Sequence, residues 1–242
     1  MATAVVERSA SFYARIAGFI YLFAMALAIG NQAVLAGVVV PGDAATTAHN
    51  ISASEGLFRL GIAADLVAFV CDVVMGWAMY ELLKTVDKSL ALLGAFFRVA
   101  NAAILAVTAA TALVILILLS GSDYLRVFDP NQLQGLAMVY LRARALGSYV
   151  GFVFLDLGAS VFAYLLFRSR FVPRVLSAWG IFASAIGVGG SLAVILFPWF
   201  TAKPAIASMT PMFFYEVSLG LWFLSKGVTV PAGPPLQAVD LR

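Results

Sequence analysis

Four carboxylates stand inside apolar stretches of this chain: Asp65 and Asp72 in one, Asp156 in a second and Glu216 in a third. Taking a carboxylate out of water costs at least about 2.5–3.5 kcal/mol in a helix that crosses a bilayer. Such a group must pair, take a proton or face a wet cavity. Asp65 and Asp72 are seven residues apart, close to two helical turns, so both point to nearly the same side. Acidic groups placed this way suit cation or proton binding, or catalysis by a carboxylic acid kept neutral in an apolar site. The plainer alternative is a hydrogen bond between helices, for example Asp156 holding a backbone, Ser or Asn group of a neighbour.

The cations have competing roles. Arg98 either snorkels to headgroups or turns inward, with Asn101 near it, to pair with Asp72 or Asp156. Glu55 precedes Arg59 by four residues, the favourable order for a helical ion pair. Arg142 and Arg144 are expected at the outer headgroups, in reach of lipid phosphate. His49 lies in a polar loop from Pro41 to Glu55 and reads as a solvated residue; as a functional group it would have Glu55 and Asp65 as companions. No residue set identifies a catalytic group. One Cys and one His in the whole chain argue against a Cys/His zinc site, a bis-His haem or a Cys–His nucleophile, so no metal or cofactor is expected. Cys71 has no partner for a disulfide. There is no Walker A motif and no GxSxG partnered by an intramembrane histidine.

The elements that must hold these groups follow from composition. Of 242 residues, 63% are hydrophobic and 11% charged, against roughly half and about a quarter in soluble domains. A soluble fold of this length cannot hide that much apolar surface. The net charge of +3 would suggest nucleic acid in a soluble protein; here the cations sit between apolar runs and no nucleic-acid partner is expected. A helix needs about 20 apolar residues to cross the hydrocarbon. Six segments meet or approach that length: about 14–40, 53–83, 89–120, 146–167, 173–197 and a short one at 211–225. Arg8 and Arg15 before the first run resemble a secretory signal, but the run continues to about Val40 and is read as an uncleaved span.

Local signals mark the ends. Ser52-Ala-Ser-Glu55 reads as a capping box opening the second span. Asp43 is placed to cap a brief helix, Ala44–Ile51. Asp129-Pro130 opens the fourth helical stretch, which is too long for one perpendicular span and is divided into an interfacial helix, 131–145, and a span. Thr210-Pro211 is read as the start of the last span. The fold class is therefore all-α, a six-transmembrane-helix bundle with a short outer interfacial helix. It forms one domain, 1–228, with a flexible tail at 229–242.

Charge sets the orientation. Arg8, Arg15, Lys84, Lys88, Arg168, Arg170, Arg174, Lys226 and Arg242 fall on one side; Arg59, Arg126, Arg142, Arg144 and Lys203 fall on the other. The excess favours both termini in the cytoplasm. Small residues at four-residue spacing, Gly147/Gly151 and Ala183/Gly187/Ser191, suit close helix packing within the chain, or a homodimer face.

Several stretches carry a resemblance. Pro41-Gly-Asp-Ala-Ala-Thr-Thr-Ala, Ser54-Glu-Gly-Leu-Phe-Arg-Leu-Gly-Ile-Ala-Ala-Asp65, Cys71-Asp72, Ser89 to Arg98, Gly151-Phe-Val-Phe and Tyr164 to Arg174 resemble a bacterial membrane family catalogued as domain of unknown function 4386. The likeness spans about Ser11 to Val228. It implies a six-helix protein of the bacterial plasma membrane and no particular activity. In that pattern Asp156 falls where other small or polar residues occur, so it carries less weight than Asp65 and Asp72.

Three functions compete. The favoured one binds or transports a small solute, cation or lipid in a carboxylate-lined cavity. Against it, no inverted repeat is visible. The second is an intramembrane enzyme, cyclase-like, that protonates a lipid or isoprenoid, with some of the 19 Phe, 8 Tyr and 4 Trp stabilising a carbocation. The third is an accessory subunit without chemistry of its own.

Overall fold

In hydrocarbon, only a helix satisfies its own backbone within one segment. The apolar runs accordingly form long helices. The computed structural model describes residues 2–197, 199–200 and 202–229, so nearly all of the expected tail lies outside the described residues. Seven α-helices and one short 3-10 turn make up the described residues, with no strand among them. They are α1 (Ala2–Val38), α2 (Ala44–Ala53), α3 (Glu55–Leu83), α4 (Lys88–Leu118), α5 (Pro130–Ser169), α6 (Arg174–Leu196) and α7 (Ala202–Ser225). Four stretches are long and apolar enough to cross a membrane: Ser9–Val38 in α1, and α4, α5 and α6.

The six long helices close into a ring. In order around it, α1 packs on α3, α3 on α4, α4 on α5, α5 on α6, α6 on α7, and α7 back on α1. The short helix α2 lies chiefly against α5. Glycines set the close approaches. A Cβ on Gly18 would meet the Gly220 carbonyl oxygen at 2.8 Å, so α1 and α7 touch backbone to backbone. Gly147 and Gly151 lie against Thr108 and Leu105 of α4, and Gly187 lies against α5. Both small-residue faces are thus used between helices of this chain.

The interior has two apolar plugs. One joins Ala14, Ala17 and Tyr21 of α1 to Met75–Leu83, Phe162–Leu166 and Leu219–Phe223. The other joins Val38, Ile51, Phe58, Ile62, Ile115 and Leu141 at the opposite end. The outward faces carry exposed Phe19, Leu60, Val70, Phe96 and Val107, the surface that lipid accepts without cost.

Several ends differ from the sequence reading. Ser54, not Ser52, separates α2 from α3, and its side chain makes no capping bond. Glu55 turns to Arg59 instead, at 2.7 Å, so the capping box does not form. Asp43 does cap α2 through the Thr46 N–H. Hydrogen bonds from the Thr46 side chain and backbone hold its carboxyl below the usual carboxylate range. Asp129 and Gln132 form a reciprocal box at α5. No break follows near Ala145: α5 runs 40 residues without interruption, because nothing after Pro130 stops it. Pro211 lies inside α7 rather than at its start. The Trp179 indole N–H donates to the Pro211 carbonyl at 3.1 Å, and the Thr210 hydroxyl to the Ile206 carbonyl at 3.0 Å.

Candidate functional site

Between the two plugs lies a polar layer. Asp72 enters from α3, Arg98 and Asn101 from α4, Tyr21 from α1 and Glu216 from α7. Arg98 is the hub, with a side chain only 3% exposed. Its Nη1 donates to Asp72 Oδ1 at 2.7 Å, and its Nη2 donates to the Tyr21 hydroxyl at 3.0 Å. Glu216 stands 3.6 Å from the same Nη2. The Asn101 amide donates to Asp72 Oδ2 at 2.7 Å, so both oxygens of Asp72 are occupied. The guanidinium also lies 5.4 Å from the centre of the Tyr21 ring. Arg98 therefore points into the bundle and does not snorkel outward.

Why these helices bring these groups together is a matter of small neighbours. Gly76 of α3 lets the Arg98 stem pass, since a Cβ there would sit 3.1 Å from Arg98 Cβ. Gly158 of α5 makes room as well, since a Cβ there would sit 3.6 Å from Arg98 Cγ. Gly151 of α5 faces Asn101 Oδ1.

Asp156 is the odd member. It is 2% exposed. Its carboxyl lies on the bare backbone of Gly187 in α6, so closely that a Cβ there would collide with it. It lies within electrostatic reach of Arg98 and Glu216. Among the described residues it has no hydrogen-bond or ion-pair partner, and the neighbouring-helix bond weighed for it from sequence is not made. Three further buried groups of this region also lack one: Arg98 Nε, Asn101 Oδ1 and Ser191 Oγ.

Asp65 belongs to a second network nearer the α2 end. Asn31 of α1 donates to Asp65 Oδ1 at 2.6 Å, and Arg144 of α5 pairs with Oδ2. The two side chains of that ion pair are 16% and 12% exposed. Arg144 is thus not a headgroup ligand, contrary to expectation. A buried carboxylate in reach is a better partner than lipid phosphate, because its charge is otherwise uncompensated. Arg142 remains exposed. His49 is exposed on α2, while Glu55 is engaged by Arg59 and Asp65 by Asn31 and Arg144, so the three do not form one group.

Sequence reasoning missed Tyr21 and Asn31. Each is a polar residue within the first apolar run, which was their only signal, and their partners lie 77 and 34 residues away. Among the described residues, no three His, Cys, Asp or Glu side chains come close enough together to hold a metal ion.

A family described as Domain of unknown function (DUF4386) matches residues 16–227. Neither a curated protein nor a solved structure matches the chain.

Proposed function

The chain belongs to the DUF4386 family, a domain of unknown function, and we propose from its own geometry that it binds protons in the membrane and couples them to a small solute. The observation that carries this is a charge imbalance. Asp72 and Glu216 face one guanidinium, Arg98, and Asp156 lies near them without a partner, so full ionisation would leave −3 + 1 = −2 between two apolar plugs. An uncompensated charge in such surroundings is neutralised in preference to being held. Something cationic must balance the layer. The carboxylates are not grouped to coordinate a metal, and the side chains around them are packed, which favours the smallest cation, the proton. Intramembrane carboxylates in a chain are the usual parts of a proton relay.

In this reading the chain is one six-span domain, residues 1–228, in a cell membrane, with both termini cytoplasmic. Helices α3 and α7 cross with the other four. Asp72, Glu216 and Asp156 hold the protons, Arg98 and Asn101 orient Asp72, and Asp65 guards the outer approach. A solute enters only when the helices part.

The test uses purified full-length protein in liposomes with an entrapped pH dye and an imposed membrane potential. Wild type is expected to move protons, and Asp72→Asn and Glu216→Gln to lose most of that flux. Infrared difference spectra on acidification should show a protonated-carboxyl band that shrinks in Asp156→Asn. Variants that match wild type in both readouts sink the proposal.

A further inference from the structure

The loop between α5 and α6 concentrates cationic chemistry at the end of the bundle away from α2. Arg170 and Arg174 are both exposed, and among the described residues neither has an acidic partner. They line a cleft of about 390 Å³ together with Phe171, Val172, Trp222 and Thr229. The cleft is held in shape by named bonds. The Thr229 N–H donates to the Phe171 carbonyl at 3.2 Å, tying the chain after α7 to the loop. Arg170 caps α5 with a positive φ of 59°, its N–H donating to the Leu166 carbonyl. The Arg174 guanidinium lies over the Phe167 ring, 5.3 Å from its centre.

The chemistry around this cleft is one-sided. Two guanidinium forks offer paired donors with the geometry of a phosphate. The first turn of α6 begins at Arg174, so its free N–H groups and the positive end of its dipole add to the same field. The indole of Trp222 suits the depth where headgroup meets acyl chain. On the two helices that flank the cleft, Val175 and Phe182 of α6 are 82% and 53% exposed and Leu221 of α7 is 53% exposed, apolar surface on both of its sides. A charged head beside an apolar track matches an amphiphile, not a soluble anion.

We propose that this cleft is a binding site for an anionic phospholipid, whose phosphate sits between Arg170 and Arg174 and whose acyl chain lies along Val175, Phe182 and Leu221. The site stands apart from the carboxylate layer and does not depend on its role.

The test is native mass spectrometry of the full chain released from nanodiscs of phosphatidylcholine alone or mixed with phosphatidylglycerol. Wild type should retain phosphatidylglycerol in preference to phosphatidylcholine. Arg170→Gln/Arg174→Gln should lose roughly thirtyfold of that preference, the product of two surface arginine contacts. Arg126→Gln, an exposed arginine elsewhere that pairs with Asp123, should keep it. Should the double variant not fold, Arg174→Gln alone is expected to lose part of the preference. Equal retention of the two lipids by wild type overturns the proposal, as does full retention by the variant that folds. Displacement of the lipid by millimolar inorganic phosphate also overturns it, since the site would then be one for a free anion.

Discussion

At the scale of single residues, removing Arg98 leaves Asp72 and Glu216 buried without their cation. Breaking a buried pair from one side costs about 3–5 kcal/mol, mostly from the charge left behind. Arg98→Leu is therefore expected to lower the thermal midpoint sharply, and Asp72→Asn added to it to restore part of the loss. A double variant that melts below Arg98→Leu would contradict this account. Gly187→Ala makes a finer change. Its new methyl group would collide with the Asp156 carboxyl and must turn it away. The infrared carboxyl band should then shift while the carboxyl itself is kept. Gly189→Ala, whose added Cβ meets nothing within 4 Å, should leave the band in place. Identical spectra for the two variants would show that the Gly187 cradle does not set the state of Asp156. The acidic residues, Arg98 and Asn101 were all legible in the sequence, because a charged or amide group in an apolar run announces its own cost. Their pairing was legible only as alternatives, Arg98 snorkelling outward or turning inward to Asp72 or Asp156, and for Arg144 it was misread. Arg98 and Asp72 are 26 residues apart and Arg144 and Asp65 79 apart, and one sequence carries no signal that selects between partners at such separations.

At the scale of elements, the same carboxylate on α3 ties α1 and α5 together through Asn31 and Arg144. This clasp lies between the α2 end and the central layer. If it is the outer barrier, loosening it must admit water toward Asp72. The chain contains its own reporter: Cys71 is its single cysteine, 7% exposed and adjacent to Asp72. Arg144→Gln is expected to speed the reaction of Cys71 with a water-soluble maleimide about tenfold or more, as the loss of a buried ion pair would allow. An unchanged rate would place the barrier elsewhere. Element ends were legible where a cap or proline acts locally, as at Asp43 and Asp129-Pro130. They were misread where tertiary packing overrides the local signal. Pro211 looks like a helix start, yet α7 begins at Ala202 and holds Pro211 in its interior, with the Trp179 indole of α6 bonded to the Pro211 carbonyl. The long α5 looked like two helices because its length exceeds one membrane thickness, and no residue at the supposed joint breaks it.

At the scale of the whole molecule, hydropathy foretold helices but not their order. That order is a ring in which each long helix touches its sequence neighbours and α1 closes on α7. The consequence is a layered interior, with charge in the middle and apolar plugs toward both ends. Such a layer lies near mid-membrane only if α3 crosses the bilayer, because α3 carries both Asp65 and Asp72 along its axis, about 10 Å apart at 1.5 Å per residue. The crossing can be tested on the protein in sealed vesicles. In a Cys71→Ser background, Ala45→Cys on α2 and Thr85→Cys in the turn after α3 are both exposed positions. An impermeant thiol reagent is expected to label one from outside and the other only after the vesicles are opened. Labelling of both from the same face would mean that α3 enters and leaves on one side, and the charged layer would then lie at the surface, where three carboxylates and one guanidinium need no protons to coexist.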